Sequence, residues 1–149
     1  MTIRKATLAD LPHLVNFNQA MALETENKRL DEVTLTAGVR AVLENPQYGF
    51  YLVAEQQGEI VAGLMVTYEW SDWRNGIFWW IQSVYVLPVA RRSGLYSALQ
   101  GKVEALAAEA GNVCGIRLYV EKDNHVAQQT YIKNGLHESH YLMFESSHD

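Results

Sequence analysis

Val84-Tyr85-Val86-Leu87-Pro88-Val89-Ala90-Arg91-Arg92-Ser93-Gly94-Leu95-Tyr96-Ser97-Ala98-Leu99 is the stretch whose reading decides the fold. An apolar strand ends at a proline, and a basic turn with one glycine then opens a helix. The first backbone N–H groups of a helix have no intrahelical partner, and the helix dipole adds partial positive charge there. Such a turn is a site for an anion of the phosphate type. Arg91 and Arg92 add formal charge, and Gly94 lets a bulky anion come close to the backbone. The plainer alternative is an ordinary strand-to-helix turn with solvated arginines.

Working outward, Ile3–Ala6 reads as a first strand. Thr7 and Asp10 are spaced as a capping box ahead of a helix over Leu8–Leu23. A second helix starts near Asp31 or Thr34 and stops at Asn45-Pro46, because the residue before a proline disfavours the helical region. The period then changes. Phe50–Glu55 and Ile60–Trp70 are rich in β-branched and aromatic residues, joined by a Gln57-Gly58 turn. Asn75-Gly76 is a second hairpin signal, leading into a strand over Ile77–Leu87. A long helix over Gly94–Ala110 ends at Gly111-Asn112. Val113–Val120 reads as a strand, Val126–Lys133 as a short helix and His140–Glu145 as a last strand. The order β-α-α-β-β-β-α-β-α-β implies an α/β (α+β) fold, a mixed, mostly antiparallel sheet with helices on both faces. A length of 149 residues fits one domain, 1–149.

A second segment adds to the first. Asn124, Ala127, Tyr131 and Gly135-Leu136 follow the strand after the long helix. Together with Pro88, Arg91 and Gly94, this pattern resembles the GCN5-related N-acetyltransferases (GNAT family) in two separate motifs and in element order. Tyr96 departs from the first motif, where the family has a small residue. The resemblance implies the family's fold, in which two central parallel strands splay apart and the pantetheine arm of acetyl-coenzyme A lies between them. It implies that backbone groups of Val84, Tyr85 and Val86 hold that arm, with one N–H polarising the thioester carbonyl. The turn of Arg91, Arg92, Ser93, Gly94, Leu95 and Tyr96 would hold the pyrophosphate, and Asn124 the cofactor arm. Tyr131 would contact the cofactor and protonate the leaving thiolate, since an ordinary phenol is protonated at neutral pH.

The implied activity is acetyl transfer from acetyl-CoA to a primary amine by direct attack in a ternary complex. A non-catalytic acyl-CoA-binding sensor or regulatory module is the alternative, supported by Gln82 where many relatives carry a glutamate. For the general base the candidates are Glu69 and Glu24, with Asp72 and Glu26 nearby and a water relay as a further option. Trp70, Trp73 and one of the Trp79/Trp80 pair, with Glu69 and Asp72, make a candidate acceptor pocket for a cation. The alternative for these aromatics is packing within the sheet. The family often dimerises, and the aromatic strands offer a surface for a homodimer.

Composition excludes several classes. Seventeen acidic against twelve basic residues give a formal charge of −5, which argues against nucleic-acid binding and is compatible with a small-molecule or peptide amine. No apolar run reaches the roughly 18 residues of a membrane span, and no signal-peptide pattern opens the chain, so a cytoplasmic protein without a membrane partner is expected. No phosphate loop of the G-x-x-x-x-G-K-[ST] type or dinucleotide fingerprint occurs. The histidines have no ligand spacing, so no metal is expected. Cys114, the only cysteine, reads as a buried structural thiol.

Overall fold

The alternating β-branched and aromatic runs form the middle of one sheet. In the computed structural model, which describes residues 1–148, they are β2 (Gly49–Gln56), β3 (Glu59–Ser71) and β4 (Gly76–Val86). With β1 (Thr2–Lys5) and β5 (Val113–Arg117) they make a five-stranded sheet in sequential order. Every pair is antiparallel except β4 with β5, which is parallel. The helices are α1 (Leu11–Glu26), α2 (Glu32–Glu44), α3 (Leu95–Ala110) and α4 (His125–Lys133). The chain divides into two compact units. Met1–Tyr119 holds the sheet and α1–α3, and the unit beginning at Val120 holds α4.

In the first unit the pleat sends alternate side chains to two cores. Leu95, Leu99, Val103 and Ala107 recur every four residues on α3 and bury against Leu52, Leu64, Val66, Trp79 and Ile81. Leu14 and Phe17 of α1 and Val39 of α2 bury against Tyr51, Val53 and Tyr85 on the other face. Helices therefore cover both faces of this sheet. Among the described residues no helix is long and apolar enough to cross a membrane.

Local chemistry sets the element ends. Asp31 caps α2 by accepting from the Thr34 N–H at 3.0 Å, and α2 stops at Glu44, two residues before Pro46. Gly111 closes α3 at φ 81°. Gln57 (φ 53°) and Gly58 (φ 78°) form the two-residue β2–β3 turn. The β3–β4 hairpin differs from the two-residue turn that Asn75-Gly76 suggests. Ser71 pairs with Gly76, so the loop has four residues. Asn75 takes the left-handed conformation (φ 46°), and Gly76 is needed for a different reason. A Cβ there would lie 3.0 Å from the Asn112 carbonyl oxygen.

Two expectations are corrected. Residues 136–148 carry no helix or strand, so the last strand at His140–Glu145 is not formed within its unit. Among the described residues that unit contains no other strand to pair with, and a lone strand leaves its backbone groups without a ladder. Cys114 is exposed, not buried. It lies on β5, the edge strand of its unit, at the register shift where Val113 pairs with Ile77 and Gly115 with Phe78.

The N-terminal strand is tied to the sheet by charge. Arg4 Nη1 donates to Asp10 Oδ2 at 2.8 Å, and its Nε donates to Glu55 Oε1 at 2.7 Å. Asp10 is 5% exposed and also accepts from the Thr7 N–H at 2.8 Å. The Arg4 hydrogen bonds hold the Asp10 carboxyl below its ordinary range, against the opposing effect of burial. A carboxyl whose folded pKa is depressed contributes stability that is complete above the unfolded pKa and lost as pH falls through the folded one. Asp10→Ala leaves a partly buried arginine with less compensation, so it is expected to cost about 2–3 kcal/mol at neutral pH. The difference from wild type should shrink on acidification below the ordinary carboxylate range, as read by urea denaturation at several pH values.

Candidate active site

The site begins where β4 loses a neighbour. β4 pairs with β5 from Ile77↔Val113 to Trp80↔Arg117, and the ladder ends there. β4 runs on to Val86, so the stretch 81–86 presents one edge with no β5 residue alongside. The same stretch is bent. Gly63 pairs with Tyr85 and Met65 with Gln82, so Ser83 and Val84 together oppose Leu64 alone. This is a β-bulge, and Ser83 sits in it at φ 53°. A bulge increases twist and turns the strand away from its former line. Val84 and Val86 pack toward the α3 core, and Tyr85 toward the α1–α2 core.

The turn after β4 is shaped by its backbone. The Leu87 N–H reaches back to the Val61 carbonyl at 2.9 Å, and Pro88–Ala90 forms a single 3-10 turn. Ser93 Oγ closes it on the Ala90 carbonyl at 2.6 Å. Arg92 (φ 63°) and Gly94 (φ 77°) both take left-handed conformations one residue apart. That curvature turns successive N–H groups toward one side, as in an anion nest. The first i→i−4 bond of α3 runs from the Ala98 N–H to the Gly94 carbonyl, so the N–H groups before it point out of the helix end. A Cβ on Gly94 would meet nothing within 4 Å, which leaves open space over the turn. Tyr96 does not fill it. Its hydroxyl donates to Gln100 Oε1 at 2.9 Å, one turn further into α3, so the ring lies along the helix.

The two arginines of the turn have different surroundings. Arg92 is exposed. Arg91 folds back toward α1. Its Nη2 donates to Glu24 Oε1 at 2.7 Å and its Nε to the Val86 carbonyl at 2.9 Å, and its guanidinium lies 5.4 Å from the Tyr85 ring centre. The Tyr85 hydroxyl donates to the other oxygen, Glu24 Oε2. These bonds hold the Glu24 carboxyl below its ordinary range, the Tyr85 contribution being the larger. Desolvation, then Glu24, push the Tyr85 phenol up.

Glu69 lies in a separate cluster. Its Oε1 accepts from Trp80 Nε1 at 2.8 Å and from Arg117 Nη1 at 2.9 Å. Gln82 donates to Thr67 Oγ1 at 2.6 Å. The residues expected to line an acceptor pocket, Trp70, Trp73 and one of the Trp79/Trp80 pair, have different surroundings. In the β3–β4 register Trp70 shares a face with Trp79, and Trp80 shares the opposite face with Glu69. Trp73 is 90% exposed in the hairpin loop, where Asp72 Oδ1 accepts from its N–H at 2.8 Å. Trp79 is core, in an edge-on contact with Phe50 at 5.3 Å.

In the second unit, Asn124 caps α4 by accepting from the Ala127 N–H at 3.1 Å. Tyr131 lies two turns along that helix, and burial pushes its phenol pKa above the ordinary value. Among the described residues no three His, Cys, Asp or Glu side chains converge as a metal site. Sequence reasoning missed the bulge and the Glu24–Tyr85–Arg91 cluster. The polar pair Gln82-Ser83, interrupting an apolar strand, was the available signal for the first.

These features can be set against known proteins. The acetyltransferase (GNAT) family model matches residues 14–136. The chain belongs to the GNAT family of acetyltransferases. A solved structure of a possible acetyltransferase from Clostridium difficile 630 is 43% identical, covers 99% of this chain and 97% of that one, and superposes with a TM-score of 0.93. Two more distant structures share the fold at 21% identity. One is a predicted acetyltransferase with acetyl-CoA from Clostridium acetobutylicum (97% and 95% covered, TM-score 0.78). The other is an aminoglycoside 6'-N-acetyltransferase from Acinetobacter haemolyticus (100% and 99% covered, TM-score 0.75). No curated protein matches the chain significantly. As a GNAT member, the chain is an N-acyltransferase.

The bulge is testable. A β-branched side chain is the least tolerant of positive φ. Ser83→Val is therefore expected to lower stability by about 1–3 kcal/mol and Ser83→Gly to leave it unchanged or slightly raised, as read from denaturation midpoints.

Proposed function

We propose that this GNAT member transfers an acetyl group from acetyl-coenzyme A to a primary amine by direct attack in a ternary complex, with residues 1–149 working as one catalytic domain. The observation that carries the reading is the β4 edge freed at Trp80, followed directly by the left-handed turn into α3. An extended, amide-bearing arm fits such an edge, and a diphosphate fits such a turn. When bound, the cosubstrate supplies an acyl group activated as a thioester.

The chain's own residues then do the following. Backbone groups of Val84, Tyr85 and Val86 hold the arm in line, and one N–H polarises the acyl carbonyl. The N–H groups of Arg91–Tyr96 and the Arg92 charge hold the phosphates, and Asn124 steadies the arm. Most of the acceleration comes from holding the amine against the acyl carbon, which can supply roughly 7–11 kcal/mol. Tyr131, like any ordinary phenol, is protonated at neutral pH, and burial shifts it further in that direction, so it can donate to the departing sulfur. Glu24, held below the ordinary carboxylate range by Tyr85 and Arg91, is a weak proton acceptor. Glu69 is committed to Trp80 and Arg117. We therefore assign proton removal to water and keep both carboxylates out of the base role. The acceptor is a small-molecule amine.

Melting temperature with acetyl-CoA, CoA, ATP and NAD tests the assignment. A ligand at a hundredfold excess over its Kd adds about 2.7 kcal/mol to stability. Both CoA species should raise the melting temperature by several degrees and ATP and NAD should not. Gly94→Glu, which places negative charge in the open space over the turn, should abolish the shift. No shift of the wild type with either CoA species would overturn the cofactor reading. Tyr131→Phe should lower kcat about a hundredfold with CoA affinity unchanged, measured by thiol release and calorimetry.

A further inference from the structure

Three groups converge on the Arg91 guanidinium: the Glu24 carboxylate at 2.7 Å, the Val86 carbonyl at 2.9 Å and the face of the Tyr85 ring at 5.4 Å. A carboxylate, a carbonyl and an aromatic face are the set that recognises an organic cation. The seat lies between the last turn of α1 and the end of β4, and the cation filling it belongs to the phosphate-binding turn. The seat is not a buried structural pair. The Arg91 side chain is 45% exposed and that of Glu24 40%, so exchange of one cation for another needs no unfolding. Tyr85 stays fixed through such an exchange, because its ring packs on Phe17 at 5.4 Å and its hydroxyl is bonded to Glu24.

We propose that Glu24 binds the ammonium group of the acceptor, and that Arg91 occupies that seat until the cofactor's phosphates draw it away. This rests on the acetyl-CoA reading above and names the substrate class, an aliphatic amine carrying a second positive charge. One charge stays on Glu24 while the other nitrogen is acylated. No bond to Glu24 forms or breaks. The exchange has a thermodynamic consequence. Glu24 and the diphosphate compete for one guanidinium, so Glu24 opposes cofactor binding and cofactor binding favours the amine. By the same linkage the amine favours the cofactor.

Calorimetry on wild type and Glu24→Gln tests this, with CoA and 1,4-diaminobutane as probes. Glutamine keeps the size and an acceptor for the Tyr85 hydroxyl but removes the charge, and an unchanged melting temperature checks that the variant is folded. The variant should bind CoA roughly fivefold more tightly, the size of one exposed ion pair. 1,4-Diaminobutane should bind wild type saturated with CoA up to about fivefold more tightly than it binds free wild type, and Glu24→Gln should lose that gain. CoA binding that is unchanged or weaker in the variant overturns the proposal. So does diamine binding that ignores CoA or Glu24, or diamine that fails to bind the CoA complex. Wild type that does not bind CoA at all is a different result, since it removes the acetyl-CoA reading itself.

Discussion

β4 has two neighbours along its first half and one along its second, and the rest of the site depends on that change. A parallel ladder can end only where the two strands diverge, and two features separate them here. The bulge at Ser83 puts an extra residue into β4 opposite Leu64, and pairing with β5 stops at Arg117. A β-strand edge without a partner exposes a row of donors and acceptors, and proteins usually blunt such edges. Here the edge lies inside the sheet order, beside the start of a helix, and nowhere near the outer strand β1. Its backbone groups have the right chemistry for an extended amide ligand, which adds to a sheet as a strand does.

The turn that follows depends on the same strand. Leu87 is bonded to Val61 of β3, so the chain leaves the sheet at a fixed point and the N-terminus of α3 is aimed by it. The left-handed residues Arg92 and Gly94 then make the curvature. Only glycine takes that conformation without cost, so Arg92 holds a strained backbone. Strain of this kind persists where surrounding structure fixes it. Here the fixing bonds are Ser93 to Ala90 on one side and Ala98 to Gly94 on the other. The Arg91 side chain reaches back to Glu24 and Arg92 is exposed, so the two adjacent arginines have different surroundings.

Much of this was legible in the sequence, and the part that was not has a physical explanation. The 3.6 period located α3, which buries one face, and β-branched and aromatic richness located β2, β3 and β4, which bury side chains on both faces. Gln57-Gly58 and Gly111 were readable from backbone preference alone. Asn75-Gly76 was half readable. Asn75 does take positive φ, but the loop length is set by the Ser71–Gly76 pair and by the close approach of Asn112, which no local pattern encodes. The aromatic group is divided by burial: Trp70 and Trp79 share a face, but Trp79 is in the core and Trp73 stands out in the loop, which composition does not encode. The exposure of Cys114 depends on which strand is at the edge, which is again a tertiary fact. The motifs found the turn and its glycine, but not that Arg91 turns away to Glu24, a residue 67 positions earlier.

That long-range pair also explains why the candidate bases were hard to choose. Both carboxylates singled out from sequence, Glu24 and Glu69, are each held by an arginine and by an aromatic side-chain donor. The bonds from Tyr85 and Arg91 favour the ionised form of Glu24, and the bonds from Trp80 and Arg117 fix the orientation of Glu69. Each carboxylate is held beside a positive charge, that of Arg91 or of Arg117. Acyl transfer from a thioester tolerates such pairing, since attack by a neutral amine needs orientation and a polarised carbonyl more than a strong base. The departure at Gln82, which bonds Thr67 across the strand pair, is consistent with the same design. At this position the side chain ties β3 to β4, and the proposed transfer draws on the backbone of the bulge and turn instead.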